Sequence, residues 1–135
     1  MNHNIENRYI GELRTSSVHI KSGKNIITDA PLDNNGKGEA FAPTDLVSSA
    51  LCSCITTVMG ICADKGKFEM PNSKARITKV MSANPRKISE IRIEINFDKN
   101  NLTDVQKRKL ISVGKNCPVA KSLNSDITQT LVFNF

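Results

Sequence analysis

Chemistry at neutral pH needs a nucleophile, a base or a metal-binding cluster, and few residues of this chain qualify. Four cysteines, Cys52, Cys54, Cys62 and Cys117, stand beside a short set of ionisable helpers, chiefly Arg14 and His19. Cys117 falls in Asn116-Cys117-Pro118, where Pro118 suits the first position of a helix and Cys117 its cap. Unpaired backbone N–H groups at such a place lower a thiol pKa from about 8.5 towards ~3.5–7.5. A pKa near 6 would raise the thiolate fraction at pH 7 from about 3% to about 90%. Cys54 lies inside a long helical pattern, so its ionisation needs a cation, for which Arg14 and His19 are the candidates. The residues alone leave the blander reading open, because a free Cys on an apolar helix face is more often a small core hydrophobe. Cys62 reads as structural, Cys52 as half-exposed and incidental, and His19 as a strand residue with a satisfied ring.

The elements that must hold these groups are legible from the pattern. Arg8 to Ile20 alternates partially and reads as a strand, with a turn at Lys21-Ser22-Gly23-Lys24. Asn25 to Ala30 is a second extended piece, ended by Pro31, and Leu32 to Glu39 is a loop rich in Asp, Asn and Gly. Pro43, Thr44 and Asp45 open the strongest helical pattern, which runs to about Lys65-Gly66. Val47, Ala50, Leu51, Cys54, Val58, Ile61 and Cys62 recur at three- and four-residue intervals and predict one core-facing side. Cys52 then points about 200° away from Cys54, too far round the helix for the two to bond.

Downstream, Ala75 to Met81 and Ile88 to Phe97 predict a hairpin with Ser82 to Arg86 at its tip. Ile91, Ile93, Ile95 and Phe97 alternate with Arg92, Glu94 and Asn96, giving one dry and one wet face. A capping box at Thr103-Asp104-Val105-Gln106 starts a second helix ending near Gly114. The short helix after Cys117 and a strand from Thr128 to Phe135 complete the chain.

Composition narrows the classes of function. At 135 residues with 39% apolar and 24% charged side chains, the chain reads as one globular domain, 1–135, of the α+β class. The apolar run Leu46 to Cys62 is interrupted by Ser48, Ser49, Ser53, Thr56 and Thr57 and does not read as a membrane span. Met1 to Arg8 is polar and lacks a secretory layout, so a cytoplasmic location with reduced thiols is expected. No paired C-x-x-C motif suggests a disulfide framework or a zinc site, and no metal or organic cofactor is implied. The net charge of +6 comes with one Tyr, five Phe and no Trp. Lys107, Arg108 and Lys109 therefore read as a solvated basic surface, and nucleic acid is not favoured as a partner.

Phe41-Ala42-Pro43-Thr44-Asp45-Leu46-Val47, then Ala50-Leu51-Cys52-Ser53-Cys54, and later Asn116-Cys117-Pro118-Val119 resemble the OsmC/Ohr family. The likeness extends back through His19, Ser22-Gly23, Thr28-Asp29-Ala30-Pro31 and Gly36-Lys37-Gly38 and covers nearly the whole chain. It implies an OsmC-like fold, with antiparallel sheets packed on a long central helix that carries a Cys, in an interleaved cytoplasmic homodimer. It also implies thiol-dependent reduction of organic or inorganic hydroperoxides in oxidative or osmotic stress defence, regenerated by a dithiol reductant. By this resemblance Cys54 matches the peroxidatic cysteine and Cys117 the resolving one, and Arg14, with Arg8 as the alternative on an ungapped count, the thiolate-stabilising arginine. The peroxidase branch holds that arginine with a glutamate directly after the helix-opening proline, where this chain has Thr44. Arg14 would then rely on Asp45, Glu12 or a carboxylate of a second subunit. The alternative is a slow redox-sensing or dithiol-binding module without efficient peroxidase activity.

Overall fold

The computed structural model describes residues 2–135; Met1, part of the polar N-terminal stretch, lies outside them. Two compact units divide the chain, Met1–Leu46 and Val47–Phe135. The first is a three-stranded antiparallel sheet, β1 (Ile5–Gly11), β2 (Arg14–His19) and β3 (Asn25–Asp29), in the order β1-β2-β3. The single strand expected over Arg8–Ile20 is a hairpin. Its turn residues Glu12 and Leu13 both have positive φ, 54° and 62°, the geometry of a two-residue primed turn. Such turns favour Asn and Gly, so Glu-Leu carries no sequence signal for one. A short 3-10 turn, Leu32–Asn34, follows β3. The loop after it is tied back by the N–H groups of Gly36 to Pro31 O and Gly38 to Ala30 O. Gly36 is obligatory there, because a Cβ would lie 1.8 Å from the Ala30 carbonyl oxygen.

Helix α1 (Pro43–Lys65) begins at the predicted proline, where the Asp45 carboxylate accepts from the Ala42 N–H. The second unit adds β4 (Ser73–Ser82), β5 (Lys87–Phe97), α2 (Asp104–Lys115), α3 (Pro118–Ser122) and β6 (Thr128–Asn134). Its sheet has the order β4-β5-β6; β4 and β5 form the expected antiparallel hairpin, but β6 runs parallel to β5. The expectation of purely antiparallel sheets is thereby corrected. After β5 the chain crosses through α2 and α3, and that crossover returns β6 in the same direction as its neighbour.

Leu51, Ile55 and Met59 of α1, Ile91, Ile93 and Ile95 of β5, and Leu110 of α2 are fully buried in one cluster. The buried side of α1 is turned from the predicted one. Ser48, Leu51, Cys52, Ile55, Met59, Cys62 and Ala63 are buried, Ala50 and Ile61 are exposed, and Cys54 is half-buried. Cys52 is therefore a core residue. By length and composition α1 is apolar enough to cross a membrane, with a mean hydropathy of 1.9, yet this side packs into the core. The capping box of α2 forms in both directions, Thr103 Oγ1 accepting from Gln106 N–H and Gln106 Oε1 from Thr103 N–H.

Candidate functional site

Cys54 and Cys117 come from separate elements of the second unit and meet. Cys54 lies about midway along α1, on the edge of its buried side, while Cys117 is the N-cap of α3 and is 1% exposed. Both are free thiols, and the Cys54 side chain acts directly on the Cys117 thiol. The segment joining α2 to α3 sets this up. Buried Gly114 presses the end of α2 against α1, where a Cβ on it would come within 3.1 Å of Ile55 and 3.4 Å of Met59. Cys117 follows one turn later, its N–H bonded to the Gly114 carbonyl at 3.3 Å. The Gln129 amide then ties α3 to β6 through the Ala120 carbonyl, at 3.0 Å. The sequence marked Gly114 only as a helix end; its closeness to Ile55 and Met59 depends on packing that no local pattern encodes.

The Cys117 cap is built as expected, with the Ala120 N–H donating to Sγ at 3.4 Å. Its electrostatic consequence is corrected. Burial pushes the Cys117 thiol up, and the opposing N–H groups of Ala120 and Val119 do not reverse that. The Cys54 side chain pushes the Cys117 thiol in the same direction as burial. Cys52 is likewise pushed up by burial, as befits an inert core thiol.

In the first unit, the β2–β3 register sets Arg14 directly opposite Asp29. Arg14 Nη2 lies 3.2 Å from Asp29 Oδ2 and 2.9 Å from Glu39 Oε2, and Asp29 Oδ2 also accepts from the Glu39 N–H at 2.9 Å. Asp29 is fully buried and Glu39 exposed. The Glu39 N–H, ahead of Arg14, holds the Asp29 carboxyl below its ordinary range, while its hydrogen bond to Asp29 raises Arg14 further. The carboxylates expected to hold Arg14 within the chain are engaged elsewhere: Asp45 on the Ala42 N–H, and Glu12 with Lys37 at 3.6 Å. Sequence reasoning missed Asp29 and Glu39 in this role. The signal available was an acidic residue at the end of an extended segment, Thr28-Asp29-Ala30-Pro31. His19 pairs with Ser22 in the turn, its Nδ1 2.6 Å from Oγ. No group of three or more His, Cys, Asp or Glu that could hold a metal occurs among the described residues.

Two three-stranded sheets and the helices that accompany them match the α+β fold of OsmC-like proteins. The chain belongs to the OsmC-like protein family, whose model matches residues 36–132. It is similar, at 42% identity with a TM-score of 0.93, to a Psychrobacter arcticus protein provisionally described as an osmotic stress induced and detoxification response protein. That likeness covers 99% of this chain and 97% of the other. The organic hydroperoxide resistance protein OsmC of Legionella pneumophila shares the fold at 13% identity and a TM-score of 0.76, over 98% of each chain. OhrB, the organic hydroperoxide resistance protein of Bacillus subtilis, does so at 13% identity and 0.68, over 99% of this chain and 98% of the other. No curated protein matches the chain.

Proposed function

We propose that this protein is a thiol peroxidase that reduces hydroperoxides in oxidative or osmotic stress defence, with Cys54 as nucleophile and Cys117 as resolver. The observation that carries the reading is a pair of free thiols brought together from two elements, Cys54 half-buried and Cys117 buried, with burial pushing the Cys117 thiol up. Cys54 as thiolate attacks the distal oxygen of ROOH; the O–O bond breaks, ROH leaves with a proton, and Cys54 becomes a sulfenic acid. Cys117 then attacks that sulfur. Its proton joins the departing hydroxide as water, and a Cys54–Cys117 disulfide remains. An external dithiol reopens the disulfide and is itself oxidised to one. Arg14 supplies positive charge for the thiolate and the peroxide, a role taken from the family resemblance.

The proposal extends to a homodimer in the cytoplasm. Tyr9, Ile10, Leu13, Ile20 and Ile26 are all exposed on the first sheet and its turns, more apolar surface than such a small unit leaves uncovered. A second copy of the chain is the proposed cover.

Free-thiol titration before and after one equivalent of cumene hydroperoxide tests the reading. In the wild type two thiols should disappear together. Cys117→Ser should lose one and leave a sulfenic acid on Cys54 that dimedone captures, and Cys54→Ser should lose none. Retention of all four thiols in the wild type would remove the enzymatic reading, and disulfide formation only over hours would favour the redox-sensing alternative.

A further inference from the structure

Among the described residues, Asp29 is the one charged side chain in the large fully buried set, and in the first unit no apolar side chain of that size is buried with it. Its Oδ2 collects both the Arg14 guanidinium and the backbone N–H of Glu39, whose own carboxylate reaches the same Arg14 Nη2. Among the described residues, Arg14 Nε and Asp29 Oδ1 are buried without a hydrogen-bond partner. Both unused atoms belong to the same ion pair. A bond from Nε to Oδ1 would complete a bidentate fork, a grip of Asp29 on the guanidinium in which Glu39 takes no part. Glu39 sits on an exposed loop, its side chain 59% accessible against 27% for Arg14.

From this geometry we infer that Asp29 is the positioning residue for Arg14, with Glu39 as a releasable second clamp. The inference rests on the proposed peroxidase reading only for its kinetic consequence. Asp29 does not meet the peroxide; it fixes the direction in which Arg14 presents its remaining N–H groups. A mobile arginine loses much of its electrostatic effect, because the stabilising charge must be in place before negative charge develops. The buried carboxylate thus takes over what Thr44, at the head of α1, has no charge to do.

Two readouts on the full-length reduced protein test this separately. The first is nuclear magnetic resonance of the Arg14 Nε–H and guanidinium. The wild type should show hindered rotation, Asp29→Asn free rotation, and Glu39→Gln an intermediate state. The second is the second-order rate of thiol loss with cumene hydroperoxide in a double-mutant cycle. Arg14→Met and Asp29→Asn should each slow oxidation by about tenfold or more, Glu39→Gln by about threefold, and the double variant should be no slower than Arg14→Met alone. Free rotation of Arg14 in the wild type would overturn the inference. So would an Asp29→Asn rate within about twofold of wild type, or an equal further loss when Asp29→Asn is added to Arg14→Met. Wild-type thiols that ignore peroxide while Arg14 rotation still depends on Asp29 would remove the peroxidase reading and leave the positioning intact. Circular dichroism checks each variant, and should Asp29→Asn not fold, Glu39→Gln takes its place in the cycle.

Discussion

The two units of this chain are organised by different physics. In Val47–Phe135 the fully buried large side chains are Leu51, Ile55, Met59, Ile91, Ile93, Ile95, Leu110 and Cys117, a continuous apolar core. Among the described residues of the first unit, Asp29 alone is in that class, while Ile5, Tyr9, Ile10, Leu32 and Phe41 are each more than half exposed. A small three-stranded sheet without a core is marginal in water by itself. Its internal order comes from cross-strand hydrogen bonds and the Arg14–Asp29–Glu39 cluster, and a buried ion cluster fixes geometry more reliably than it adds stability. The comparison teaches a division of labour. The dense unit brings two free thiols together, and the sparse one holds a cation between two carboxylates.

The comparison breaks first at the core. Leu110→Ala empties a fully buried site beneath α2 and should cost about 2–5 kcal/mol, read as a lowered urea midpoint at unchanged slope. A cost below about 1 kcal/mol would contradict a tightly packed core around Leu110. Next comes Gly36→Ala in the first unit. Its Cβ would overlap the backbone oxygen of Ala30, which no side-chain rotation relieves, so the loop must shift at a cost of about 1–3 kcal/mol. Because Gly38 and Glu39 follow in the same loop, this variant should also loosen Arg14 and slow peroxide-driven thiol loss, while Leu110→Ala weakens the fold as a whole.

The acid limb of stability separates the units more finely. The Asp29 carboxyl is depressed, so its contribution is fully present above the ordinary carboxylate pKa of about 4 and is lost as pH falls through the depressed value. Glu90, depressed chiefly by the Arg92 hydrogen bond, titrates in the same direction but pairs on the outer face of the second sheet. Urea midpoints followed from pH 6 to about pH 2 should therefore show a gap between wild type and Asp29→Asn that closes below about pH 4. Added salt should shrink the corresponding Glu90→Gln gap and leave the Asp29 gap nearly unchanged, because screening acts on exposed pairs. A gap for Asp29→Asn as wide at pH 2 as at pH 6 would contradict the ionised pair.

What the sequence disclosed divides along the same line. The start of α1 at Pro43, the capping box at Thr103, the alternation of Ile91, Ile93 and Ile95, and the cap at Cys117 are local signals, and each is present where expected. The turn at Glu12-Leu13 was illegible because its residue types do not announce positive φ. The orientation of α1 was misread because small Ser48 and Cys52 lie against the core while Ala50 and Ile61 do not, a choice made by the neighbouring elements. The parallel pairing of β6 and the Arg14–Asp29 register are non-local facts. The thiol pair was anticipated from the family pattern; the direction of the Cys117 shift was not, because burial outweighed the cap.

The smallest expected effect asks what covers the sparse unit. Ile10 is 53% exposed on β1, so Ile10→Ser should change the stability of the isolated chain by no more than about 0.5 kcal/mol. If a second copy covers that sheet, stability is linked to association, and the wild-type melting midpoint must rise with protein concentration. Ile10→Ser should then match the wild type at high dilution and fall behind it as concentration increases, with sedimentation giving a mass near 14.9 kDa where the wild type gives twice that. A wild-type midpoint that ignores concentration, together with a single-chain mass, would leave the exposed Tyr9, Ile10 and Ile26 without this explanation. The first sheet would then have to draw its stability from within the chain, and the Asp29 cluster would be a larger share of it than the buried-ion argument allows.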